Sequence, residues 1–213
     1  MASSSIFHLL TNPPVASFPD SQTIISATTP ATGRLTTMLL DPATPPIGAT
    51  QYLANSQSST GGTINVVIGR WITRQLPAQT IGAGNWTFYG AARGTAGTNG
   101  ATNLWGFTVA QWRAGTGVVA TFLDAPTGGS SATLGSGGVP YDAAGATTVA
   151  GGALTLLLND QIILEVWSRG SYGGPFSLLL NGQDEYYPGT TAASPAMSST
   201  DAYLKAPAAI TYL

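Results

Sequence analysis

Three observations predict that this chain of 213 residues is all-β, an antiparallel β-sandwich or jelly roll with an extended N-terminal arm and C-terminal tail. Its apolar residues fall in short β-branched or aromatic segments, several of them alternating in polarity with period two. Gly, Asn and Asp stand between these segments, where tight turns between antiparallel strands need them. No window places apolar residues at i, i+3, i+4 and i+7 between capping residues, so long helices are not expected.

Residues 1–60 read as an extended arm. Seven of the fourteen prolines lie there (Pro13, Pro14, Pro19, Pro30, Pro42, Pro45 and Pro46), and proline removes a backbone donor and biases its neighbour toward extended conformations. Two apolar segments interrupt the arm, 6–10 and 35–40, and the second has strand character. An arm this apolar must lie against its own domain or a neighbouring subunit. Residues 61–187 read as the sandwich domain. Strands are expected over 63–68, which is β-branched, and over 70–76. They continue over 85–89, where large rings alternate with smaller residues, and over 104–112. In that last segment Trp105, Phe107 and Val109 share one face and Leu104, Thr108, Ala110 and Trp112 the other. Further strands are expected over 118–123, 154–158, 161–168, 176–180 and 185–187. A Gly/Ala/Ser/Thr-rich stretch over 125–152 separates the two groups. Asn159-Asp160 and Asn181-Gly182 read as turns. Residues 188–213, rich in Ala, Ser, Thr and Pro, read as an extended tail. No internal repeat of fixed period is evident.

Composition narrows the function. Charged residues make up 8% of the chain, against about 25% in an average domain, so the surface must be built largely from Thr, Ser, Asn, Gln, Gly and Ala. Six Arg and one Lys, with no run among them, and a formal net charge of -2 argue against a nucleic-acid partner and against a polybasic membrane patch. Weak net repulsion suits either a neutral extracellular domain or a protein that lives in an assembly. The absence of cysteine excludes disulfides, thiol catalysis and Cys-based zinc sites, and favours folding in a reducing cytosol. The N-terminus has no basic region of a signal peptide, and no apolar run approaches the ~20 residues that span a bilayer.

Candidate chemistry is sparse, and the chain reads as no enzyme. His8 is the one imidazole, and no Gly-x-Ser-x-Gly elbow offers a serine to it. Of the acids Asp124, Asp160, Glu165 and Asp184, Glu165 stands out inside the apolar run 162–167. Alternation sets it beside Ile163 and Trp167, as a raised-pKa acid for glycoside hydrolysis, as a mark of the wetter face of a strand, or as the partner of an arginine such as Arg169 or Arg113. No second acid is placed opposite it. Asn181-Gly182-Gln183-Asp184-Glu185 offers oxygen ligands that calcium prefers but lacks the alternating acids of an EF-hand loop, and a hairpin turn explains it equally well. Arg93 to Gly100 is glycine-rich, yet no Lys-Ser or Lys-Thr follows, so it is no phosphate loop. Asn85-Trp86-Thr87 fits a glycosylation sequon that has no secretory signal to support it. No metal, cofactor or catalytic residue is assigned. Trp71, Trp105 and Trp112 are candidate platforms for a sugar ring, with core packing the commoner fate of such residues. Trp71 and Trp112 are the candidate partner or glycan contacts.

The Pro-rich arm, the aromatic segments 85–89 and 104–112, and the block 159–167 followed by 176–182 together resemble the jelly-roll or β-sandwich structural proteins of tailed-bacteriophage particles, capsid decoration (cement) proteins in particular. The likeness covers roughly residues 61–187. It implies a subunit made in the host cytoplasm and carried on the virion. Such a subunit binds the major capsid protein and copies of itself, as a homo-oligomer with a trimer favoured, and ties neighbouring capsomers together. It brings no catalytic residue and no cofactor. The alternative classes are a phage tail or baseplate adhesin that binds glycans, and a glycan-active enzyme using Glu165.

Overall fold

A computed structural model describes residues 2–9, 37–41, 52–55, 64–94, 102–123, 130–133, 141–170, 176–179 and 203–212. They form β1 (Ala2–Leu9), β2 (Thr37–Asp41), β3 (Tyr52–Asn55), β4 (Ile64–Thr73), β5 (Gln79–Ile81), β6 (Gly84–Gly94) and β7 (Thr102–Arg113). The series continues with β8 (Gly117–Leu123), β9 (Ser130–Thr133), β10 (Tyr141–Gly151), β11 (Leu154–Leu156), β12 (Gln161–Gly170), β13 (Phe176–Leu179) and β14 (Tyr203–Tyr212). No helix occurs among the described residues, so the all-β expectation holds. Pairing is antiparallel throughout except between β2 and β4.

Twelve strands form one sheet in the order β3-β13-β6-β14-β1-β2-β4-β12-β7-β8, with β10 beside β6 and β9 beside β7; β5 and β11 pair separately. Five strands separate β6 from β7 in that order, yet the rings of Phe88 on β6 and Phe107 on β7 meet with centroids 5.8 Å apart. A flat sheet would hold those strands about 29 Å apart at ~4.8 Å per step. The sheet therefore turns back on itself and encloses its own inner face, an arrangement consistent with a β-sandwich. That interior holds Phe7, Leu9, Leu40, Trp71, Trp86, Phe88, Phe107, Val109, Leu164 and Leu204, with Ile81, Leu154 and Leu156 of the small sheet packed among them. Gln79 of β5 ties the small sheet to β14: its amide donates to the Thr211 carbonyl, and its own carbonyl accepts from Thr211 N–H, both at 2.8 Å.

The described parts of the two chain ends, 2–9 and 203–212, are strands of the large sheet, and most of the expected arm and tail lies outside the described residues. Ala2–Leu9 and Tyr203–Tyr212 pair with each other as neighbours inside the sheet, and β1 also pairs with β2. Phe7, Leu9, Leu204, Ala206 and Ile210 are buried in the core. Alternating apolar residues at each end supplied the burial, and pairing between termini far apart in sequence gave them their partner. The boundaries expected near residues 60 and 188 lie outside the described residues.

Three further segments depart from expectation. The strands expected over 63–68 and 70–76 are one strand, β4, because Gly69 continues the extended chain. The accommodation is local, since Val166 faces Gly69 while Trp167 faces Val67, leaving Ile68 as the extra residue of a bulge. The small-residue stretch 125–152 contains β9 and β10, and β10 pairs with β6 along its whole length, with Ala143, Ala144 and Gly145 opposite Ala92, Ala91 and Gly90. Low side-chain propensity there is overridden by a complete ladder of backbone bonds. Residues 157–160, partly expected as strand, form a turn in which Asn159 has φ of 71°, a left-handed conformation that asparagine tolerates better than most residues. The turn expected at Asn181-Gly182 and the strand expected over 185–187 lie outside the described residues.

Candidate functional site

Strand alternation divides the polar side chains into three groups. The first gathers at the end of β7, the β11–β12 turn and the segment after β4. Asp160 is fully buried. Its carboxylate accepts from Arg113 Nε at 2.7 Å and Nη2 at 2.9 Å, from Leu157 N–H at 2.7 Å, and from the side-chain amide of Gln111. Backbone bonds complete the lock: Leu76 N–H donates to the Asp160 carbonyl and Asn159 N–H to the Leu76 carbonyl, each at 2.9 Å. The Arg113 guanidinium holds the Asp160 carboxyl below its ordinary value, with help from Leu157 N–H and Gln111, against a desolvation that opposes it. The same bond raises Arg113. Beside it, Gln161 donates to the Thr73 carbonyl at 2.6 Å, and Ile162 N–H donates to Thr73 Oγ1 at 3.0 Å. This group clamps a turn. On that turn Leu157 and Leu158 point outward, 53% and 64% exposed.

The second group is Arg70 and Glu165. Glu165 is fully buried, as alternation beside Ile163 placed it on the face opposite Leu164, and its Oε1 accepts from Arg70 Nε at 2.7 Å. The expected partners were Arg169 or Arg113. Register decides otherwise, because Arg70 on β4 lies directly across from Glu165, whereas Arg113 shares the opposite face of β7 with Gln111 and is held by Asp160. Thr108, also buried, lies across from Glu165 on β7.

Trp71, Trp86 and Trp112 are core residues. Trp71 is fully buried within the main interior. Trp112, on the other face of the sheet, is 8% exposed and packs with Ile72, Ile163 and Val118. Neither offers a ring face to a ligand, so the contact role expected of them is corrected: alternation put them on opposite faces, and both faces are covered at this point in the sheet. The side chain of Trp105 lies outside the described residues, as do the segment 181–185 and most of the glycine-rich segment 93–100, of which only Arg93 and Gly94 are described, within β6. No group of three His, Asp or Glu among the described residues is placed to hold a metal ion.

The third group was not legible in the sequence. On the outer face of β6, β14 and β1, Tyr89 and Tyr203 stack with ring centroids 5.3 Å apart and planes 11° from parallel. They lie across from each other in register, and His8 lies across from Tyr203 on the far side. All three are partly exposed. Two residues along, Lys205 is exposed opposite Thr87, and Thr87 shares a hydrogen bond of 3.0 Å with Thr148 on β10. Tyr203 lay in a segment read as tail, and no local pattern announces that it meets Tyr89.

Compared with known proteins, the sequence matches no protein-family model and no curated protein.

Proposed function

We propose that the protein is a structural subunit of a virus particle, a jelly-roll capsid decoration protein that binds the shell of a tailed phage and ties neighbouring capsomers together. The observation that carries this reading is the clamped turn. Two adjacent leucines are held outward on a turn whose backbone is fixed by a buried, fully bonded carboxylate. Exposed leucines singly are common on protein surfaces, but a rigid apolar pair preorganised by such a network is suited to insertion into a partner. The charge economy supports it. With only seven basic and nine acidic side chains in the chain, two of each are engaged in Arg70–Glu165 and Arg113–Asp160. The remaining five basic and seven acidic side chains are spread over 213 residues, which keeps the charge to be desolvated low when broad surfaces meet.

Gripping by residues 1–60 and by the tail after Pro188 belongs to the same proposal, with the trimer as the favoured oligomer. Shells assembled from the capsid protein of the same genome test it by co-sedimentation. The chain is expected to pellet with the shells, and Leu157→Ser with Leu158→Ser to leave it in the supernatant while the fold is kept. Wild-type chain remaining in the supernatant would contradict the proposal. The adhesin reading loses Trp71 and Trp112 as its platforms.

A further inference from the structure

The two halves of the large sheet differ on their outer side. Across β4, β12 and β7 that side is buried, with Arg70, Ile72, Ile163 and Glu165 all sealed from solvent. At the described side chains of β10, β6, β14 and β1 it is more open: Thr148 and Lys205 are exposed and Thr87, Tyr89, Tyr203 and His8 are partly so. The open side has two stacked aromatic rings at its centre, hydroxyls at Thr87 and Thr148, and the ammonium of Lys205 beside them.

We infer that this row is a saccharide-binding site, with Tyr89 and Tyr203 as its aromatic platform and Lys205, Thr87 and Thr148 as its polar contacts. A pyranose ring presents both apolar C–H faces and a rim of hydroxyls, and tyrosine offers the matching combination of a broad ring and a polar tip at low conformational cost. Stacking fixes the rings: neither tyrosine can rotate away without losing the other, so the platform exists before the ligand arrives. Lys205 adds a donor that complements a sugar hydroxyl, and complements the carboxylate of an acidic sugar more strongly. These six side chains span three strand spacings by two residues, about 14 Å by 7 Å, which a short saccharide covers. The site is independent of the shell-binding reading, since it occupies the outer sheet face and not the clamped turn.

Amide NMR titration of the full chain tests it with three probes at millimolar concentration: chitotetraose, maltotetraose and trigalacturonic acid. At least one probe is expected to shift the amides of Thr87, Tyr89, Tyr203 and Lys205. Tyr203→Leu, which keeps apolar bulk but removes the ring, is expected to weaken that binding about tenfold; Tyr203→Phe, which keeps the stack, weakens it less. Lys205→Gln is expected to weaken trigalacturonic acid more than the neutral sugars, and as an exposed position it leaves the fold intact if the tyrosine variants unfold. No shift with any probe, shifts confined to other surfaces, or binding indifferent to these substitutions in folded protein would overturn the inference.

Discussion

A carboxylate sealed from water is tolerated only when its lone pairs are filled, and Asp160 meets that condition with donors from Arg113, Gln111 and Leu157. Replacing it with alanine leaves those donors facing nothing, so Asp160→Ala is expected to cost about 3 kcal/mol in urea denaturation. Its protonation carries a second expectation. The folded carboxyl titrates below the unfolded value of about 3.9, so the native state binds fewer protons than the unfolded chain over that interval. This contribution is complete above about pH 5 and disappears as pH falls through the folded value. Urea midpoints measured from neutral to acidic pH are expected to fall more steeply for the wild type than for Asp160→Asn; equal slopes would remove Asp160 from the account. At the second pair, Arg70→Met alone strands Glu165 and is expected to destabilise by about 3–5 kcal/mol, while Arg70→Met with Glu165→Leu recovers most of that loss. The sequence showed that Glu165 lies on the face opposite Leu164, because alternation is local. It did not show that Arg70 is its partner, because cross-strand register is set by a bulge and by residues ninety-five positions away.

Among the elements, β1 and β14 hold the most consequence. Strand β1 lies between β14 and β2, and its Phe7 and Leu9 reach the core. Deleting residues 2–9 is therefore expected to abolish cooperative unfolding, read by circular dichroism on heating; a truncated chain that melts like the parent would contradict this. The junction of β6 with β14 is equally close. A Cβ added at Gly84 would stand 2.7 Å from Cβ of Pro207, so Gly84→Ala is expected to lower stability by about 1–3 kcal/mol. Strands with ring-rich alternation, such as β7 and β12, were legible because their own residues carry the signal. Strand β10 was not, since Ala, Gly and Thr form a strand there only by pairing with β6, and the ends were read as arm and tail because the partner of each lies at the opposite terminus.

At the scale of the whole molecule, a charge-poor sheet folded over its own core joins a fixed apolar turn and an open aromatic face on different surfaces. Internal ion pairs order the framework, and in the assembly role proposed above the clamped turn is the contact point, with little electrostatic penalty on burial. The class of fold was readable from composition and periodicity, but the turn's rigidity and the tyrosine row arise only when distant strands come together. The assembly role is tested most directly by light scattering on the purified chain after size exclusion, over a range of concentrations. The account predicts a stable trimer, three times the 21.7 kDa of the single chain, whereas a monomer at every concentration would contradict it.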